Sequence, residues 1–122
     1  MRVLLVEDEQ MNADLFVDAL EPDRHEVTVE QDGLLGHARA RSEAFDLIVL
    51  DMNLPGMSGA AICRSLRAGG MTTPIVALSA SVLPNELQAG LLAGFDAYLT
   101  KPISPADLRA AVLEHAKPAK SA

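Results

Sequence analysis

Three carboxylates stand directly after the chain's first short apolar run, where Val3-Leu4-Leu5-Val6 passes into Glu7-Asp8-Glu9. Asp51 follows a second such run, Leu47-Ile48-Val49-Leu50; Ser79 follows Ile75-Val76-Ala77-Leu78; and Lys101 comes just after Ala97-Tyr98-Leu99. Crowded acids are electrostatically costly unless a cation compensates them. Two or three carboxylates with a carbonyl oxygen and several waters suit Mg²⁺, a hard ion that prefers octahedral oxygen ligands and keeps much of its hydration, and Mn²⁺ accepts similar ligands. Asp51 offers further chemistry, because an aspartate carboxylate can attack a phosphoryl group and form an acyl phosphate. Lys101, the only basic residue between Arg67 and Arg109, is a point cation suited to a phosphoryl oxygen, and the Ser79 hydroxyl can donate to another.

Each of these residues also has an ordinary explanation. Glu9 can cap a helix and favour its dipole, Lys101 can be a surface lysine, and serine is common at strand ends. Their convergence carries the weight, because an open parallel α/β sheet gathers its chemistry in the crevice beyond the carboxyl ends of its strands.

The elements needed to bring them together are legible. Val3 to Val6, Leu47 to Leu50 and Ile75 to Leu78 are continuous Val/Ile/Leu runs, as expected of strands buried on both faces. His25-Glu26-Val27-Thr28-Val29-Glu30 alternates polar with β-branched residues, which fits a half-exposed strand near a sheet edge. Ala97-Tyr98-Leu99 supplies the last strand. Leu15, Phe16, Ala19 and Leu20 recur at helical spacing, as do Leu87, Leu91 and Leu92, and Leu108, Val112 and Leu113; segments near 34–41 and 59–67 fill the other helical slots. Asp32-Gly33, Pro55-Gly56, Gly69-Gly70 and Ser104-Pro105 punctuate them. Five strands alternating with helices predict one (βα)5 domain over residues 1–116, with a mostly parallel sheet between helical layers and a short flexible tail at 117–122.

With 122 residues and 49% hydrophobic content, the chain can bury a single core. Its formal net charge of −7 leaves no broad basic surface for a nucleic-acid backbone or an anionic membrane. No apolar stretch approaches the roughly 20 residues of a membrane span, and no signal-peptide pattern precedes Val3. Cys63 is the only cysteine, so an internal disulfide and a multi-cysteine metal site are excluded. A cytoplasmic setting is expected, with Cys63 a small buried helix side chain.

Taken in order, the blocks Val3-Leu4-Leu5-Val6-Glu7-Asp8, Leu50-Asp51-Met52-Asn53-Leu54-Pro55-Gly56-Met57-Ser58-Gly59, Ala77-Leu78-Ser79-Ala80 and Tyr98-Leu99-Thr100-Lys101-Pro102 resemble the receiver domains of two-component response regulators, including single-domain chemotaxis-type members. The resemblance spans essentially the whole chain. It implies a flavodoxin-like doubly wound five-stranded parallel sheet of order 2-1-3-4-5. It implies that Asp51 is the phosphoacceptor, that Asp8 and Asp51 bind Mg²⁺ directly with the backbone carbonyl of Asn53, and that Glu7 acts through metal-bound water. Lys101 and Ser79 would contact the phosphoryl group, the Lys101-Pro102 peptide would be cis, and Ser79 and Tyr98 would switch the face formed by the fourth helix, fifth strand and fifth helix. The implied phosphodonor is a histidine kinase or histidine phosphotransfer protein, the downstream partner is another protein, and the chain is a monomer or weak homodimer. It is expected to be a phosphoacceptor switch in phosphorelay signalling rather than an enzyme, with at most self-phosphorylation and slow self-dephosphorylation.

Some positions depart from the commonest pattern of that family. Glu7 stands where many members have Asp, which keeps the charge and lengthens the reach, and Ser79 stands for the more frequent Thr. Asn53 and Ser81 flank the expected path of an attacking water and should tune the acyl-phosphate lifetime. Asp51-Met52-Asn53 also loosely resembles the opening of haloacid-dehalogenase-type phosphatases, but Asn53 cannot serve as their second, acid/base aspartate. A flavin or nucleotide carrier is disfavoured because Glu7-Asp8-Glu9 would repel its phosphate. The remaining alternative is a receiver-like interaction module that works without phosphorylation.

Overall fold

The computed structural model describes residues 1–79, 93–101 and 103–115. The expected helix carrying Leu87, Leu91 and Leu92, along with Ser81, Pro102 with its peptide bond, and the 117–122 tail, lies outside the described residues. Strands β1 (Arg2–Val6), β2 (Glu26–Glu30), β3 (Leu47–Asp51), β4 (Ile75–Ser79) and β5 (Ala97–Thr100) form one sheet of order β2-β1-β3-β4-β5. Every neighbouring pair is parallel. Among the described residues the helices are α1 (Gln10–Leu20), α2 (Gly33–Ser42), α3 (Gly59–Ala68) and α4 (Pro105–His115), with a short 3₁₀ turn at Glu21–Asp23 after α1.

The period-2 alternation of the strands divides the core in two. Leu4, Val6, Ile48, Leu50, Ile75 and Ala77 face one side, where α2 and α3 contribute Ala40, Ile62, Cys63 and Leu66. Val3, Leu5, Leu47, Val49, Val76 and Leu78 face the other, where α1 and α4 contribute Phe16, Leu20, Leu108 and Val112. Both faces of β1, β3 and β4 are thus covered, which is why these strands read as continuous apolar runs. Each large side chain removed from water contributes about 1.5–3 kcal/mol, and all of β3 and β4 is buried. β2 and β5 are the edges and are mostly half-buried. Two positions of the expected apolar helix stripes fall outside the core: Leu15 is 57% and Leu113 68% exposed. Each lies beside a buried neighbour, Phe16 or Val112, that takes the inward direction on its helix.

The helix starts follow their local chemistry. Asp32 accepts hydrogen bonds from the backbone N–H groups of Leu34 and Leu35, Ser58 from Ala61, and Ser104 from Asp107. Glu9 occupies the N-cap of α1 but makes no side-chain cap bond to the backbone; its carboxylate accepts instead from Asn12 Nδ2 at 3.0 Å. Gly59 is required by close approach, since a Cβ there would overlap the carbonyl of Asp51. That approach seats the start of α3 directly behind the end of β3.

Candidate functional site

The parallel register brings the ends of the four inner and following strands to one rim. Val6 pairs with Leu50, Asp51 with Leu78, and Ser79 with Thr100. Backbone bonds carry the alignment past the strand ends: Glu7 N–H donates to Glu30 O, Met52 N–H to Leu78 O, and Lys101 N–H to Ser79 O at 2.8 Å. Residues separated by as many as 94 sequence positions (101 minus 7) therefore meet at one edge.

Glu7 is fully buried and Asp51 is 4% exposed, whereas Asp8 is exposed at the mouth. One carboxylate oxygen from each of the three lies within 4.8 Å of the others. Lys101 Nζ sits 2.7 Å from Asp51 Oδ2 and 2.7 Å from Glu7 Oε1. The first contact is a hydrogen bond. The second is an ion pair without hydrogen-bonding angles, so the buried Glu7 Oε1 has a close cation and no donor. Asp51 Oδ1 accepts from the Asn53 N–H at 3.0 Å, and Glu7 Oε2 from the Glu9 N–H at 3.3 Å.

The electrostatics follow from this crowding. Burial, then the adjoining Asp51 carboxylate, push the Glu7 carboxyl up to about 7, and the Lys101 ammonium only partly counteracts them. Burial works against the Lys101 charge, but the carboxylates of Asp51 and Glu7 outweigh it and raise its pKa. One ammonium faces two buried carboxylates, and a third carboxylate stands at the entrance. The residues fit a divalent cation: one oxygen from each of three carboxylates converges within 4.8 Å, and the carboxylates outnumber the single ammonium beside them.

Ser79 is buried at the end of β4, one residue beyond the register partner of Asp51. Tyr98 is half-buried. Its ring packs edge-on against Phe95 at 5.8 Å between centroids, and its hydroxyl reaches Met52 Sδ at 4.0 Å, next to Asp51 in the chain. The Tyr98 hydroxyl thus contacts the loop that follows the acidic site. Asn53 is exposed.

Two features were missed in the sequence. The Asn12–Glu9 contact carries a faint signal, an amide three residues after an acid at a helix start. Arg67 carries none: its guanidinium donates to the carbonyls of Gly94, Met71 and Thr73 and to Asp96 Oδ2, which also accepts from the Ile75 N–H. This clamp fastens the starts of β4 and β5 to the end of α3, at the opposite end of the sheet from Asp51.

A doubly wound parallel sheet carries at its carboxyl edge three clustered acids that could hold a metal ion, with a lysine bridging two of them. The response regulator receiver domain model matches residues 3–113, and the chain belongs to that family. It is 38% identical over 118 residues to the sensor histidine kinase AruS of Pseudomonas aeruginosa, covering 93% of this chain and 12% of that protein. It is 39% identical over 111 residues to the response regulator ArlR of Staphylococcus saprophyticus, covering 91% of this chain and 50% of that one. The chain thus spans half or less of these relatives' lengths. Among solved structures, the receiver domain of a Pseudomonas aeruginosa PAO1 sensor histidine kinase, with a magnesium ion coordinated in its active-site cleft, matches at TM-score 0.85 and 32% identity, covering 93% of this chain and 95% of that one. A Vibrio cholerae chemotaxis protein matches at TM-score 0.87 and 28% identity, covering 93% and 97%.

Proposed function

We propose that this receiver domain takes a phosphoryl group onto Asp51 from a phosphohistidine of a histidine kinase or histidine phosphotransfer protein, in a Mg²⁺-dependent reaction, and thereby alters a surface read by a protein partner. The observation that carries this reading is the buried Asp51 carboxylate, held on one oxygen by Lys101 and on the other by the Asn53 N–H. In the transfer, the phosphorus–nitrogen bond of the donor breaks as a bond forms between phosphorus and an Asp51 oxygen, and the imidazole leaves with the electron pair.

Lys101 stands where it can exchange one of its two carboxylate contacts for a phosphoryl oxygen. Glu7 stays behind it as the second counter-charge. Asp8, Asp51 and the Asn53 carbonyl would hold Mg²⁺ directly, with Glu7 acting through bound water. A bound Mg²⁺ supplies positive charge that offsets the nucleophile and the equatorial phosphoryl oxygens. Ser79, buried at this edge, would meet the transferred group with its hydroxyl, and Tyr98 couples the Met52 loop to β5. Phosphorylation acts as a population shift between two packings of these residues. The protein contributes positioning and electrostatics, so it is a switch rather than an enzyme acting on a separate substrate.

An open groove of about 390 Å³ between α1 and α4, walled by Leu15, Phe16, Ile103 and Leu108, reaches Lys101. It gives a donor a surface to rest on while its phosphohistidine meets Asp51. The test is titration with beryllofluoride and Mg²⁺ followed by amide NMR. Saturable shifts around Asp51, Ser79 and Tyr98 that need Mg²⁺ and vanish in Asp51→Ala support the proposal. No response in the folded wild type would move the reading to a phosphorylation-independent interaction module.

A further inference from the structure

The acids of this chain are unevenly placed. Formal charge is −7, yet no Asp or Glu occurs between Asp51 and Glu86, and none lies within α2. Both stretches meet at the outer surface of α2 and α3, where His37 Nε2 lies 2.9 Å from Ser65 Oγ and ties the two helices side by side. On α2, Leu34, His37 and Arg41 follow one another at helical spacing along the side that meets α3. Leu34 is 58% exposed, and Arg41 is exposed. On α3, Arg64 and Ser65 are both exposed.

The ion pairs sharpen the point. Arg2, Arg39, Arg67, Lys101 and Arg109 each pair with a carboxylate. Among the described residues, Arg24, Arg41 and Arg64 have no salt bridge, and two of these three lie on this face. The acids at the margins are occupied: Asp32 caps α2, and Glu43 is held by Arg2 and Arg39.

We propose that the joined outer faces of α2 and α3 are a docking surface for an acidic, partly apolar protein segment, with Arg41 and Arg64 receiving its carboxylates and Leu34 its apolar side chain. Charge complementarity selects the occupant. A guanidinium binds a carboxylate in bidentate fashion, and an exposed leucine on the same helix pair as two unpaired arginines suits an amphipathic segment bearing Asp or Glu beside Leu or Phe. The surface runs from Leu34, beside the Pro55–Gly56 loop that follows Asp51, to Arg41 near the far end of α2.

The experiment uses the ¹⁵N-labelled full chain and a synthetic acidic amphipathic peptide of alternating Glu and Leu helical faces. The expected result is amide shifts confined to α2 and α3, weakened at least tenfold in the Arg41→Glu/Arg64→Glu variant and weakened in Leu34→Ala. Arg24→Glu, a single charge reversal on an equally unpaired arginine elsewhere, should leave affinity within twofold. Arg41→Gln/Arg64→Gln replaces the reversal pair if that variant fails to fold. The proposal is overturned if Arg24→Glu weakens binding as much, if a DNA duplex produces the same shifts with equal affinity, if the α2–α3 shifts appear on concentrating the chain alone, or if the peptide shifts nothing there.

Discussion

Lys101 Nζ lies 2.7 Å from Asp51 Oδ2 and the same distance from Glu7 Oε1, so a single ammonium holds together two buried carboxylates from different strands. The bridge is partly open to solvent, with the Lys101 side chain 21% exposed, and it sits at the edge where the chemistry is proposed. Removing it has both a structural and a functional consequence. Lys101→Met leaves Glu7 and Asp51 facing each other without a counter-charge. Loss of one partner of a buried pair costs about 3–5 kcal/mol, and the solvent at this bridge reduces that to about 1–2 kcal/mol. Urea unfolding at neutral pH without metal measures it, and phosphoryl labelling of the same variant should be strongly reduced.

A divalent cation should supply the charge that the site lacks. Mg²⁺ at a hundred times its dissociation constant should stabilise the wild type by about 2.7 kcal/mol. Thermal melts read the effect, and Asp8→Ala and Asp51→Asn should each abolish most of it. Equal stabilisation of all three proteins by Mg²⁺ would contradict the assignment of the cation to these carboxylates.

Cys63 gives a pH dependence of definite sign. It is fully buried, and burial pushes its thiol up to about 11 from an ordinary 9.0. Because the folded-state pKa is the higher one, its contribution to stability is fully present below pH 9 and is lost as pH rises through about 11. A thiol reagent at pH 8 should react at the rate of opening of the fold rather than at the rate of a free thiolate. Rapid, complete labelling of native protein would show that Cys63 is accessible.

Arg67→Met tests the clamp at the other end of the sheet. It removes hydrogen bonds to three carbonyls and to Asp96, and the expected loss is about 2–4 kcal/mol. Because Arg67 is remote from Asp51, Mg²⁺ binding to the folded variant should be unchanged. Chemical denaturation and Mg²⁺ titration measure the two quantities separately.

The sheet was legible because each inner strand is a continuous apolar run, and burial on both faces leaves that pattern in a sequence. The site was legible because Asp8, Asp51, Ser79 and Lys101 all sit just past such runs. The depth of Glu7 was not legible, since side by side Glu7 and Asp8 look alike and only the twist and register of β1 send one inward and the other to solvent. The exposure of Leu15 and Leu113 was hidden for a related reason: each adjoins an apolar residue, Phe16 or Val112, that takes the inward direction, and spacing alone does not choose between the two. Arg67 gave no sign, because its partners are three backbone carbonyls and one acid 29 residues away, which no local pattern marks.

The most direct test of the account is phosphoryl labelling with a small donor such as phosphoramidate or acetyl phosphate in the presence of Mg²⁺, read by intact mass and by peptide mapping after borohydride trapping. The expected result is one phosphoryl group per chain, on Asp51, absent without Mg²⁺ and absent in Asp51→Asn. A folded wild type that stays unlabelled, or a label that persists in Asp51→Asn, would contradict it.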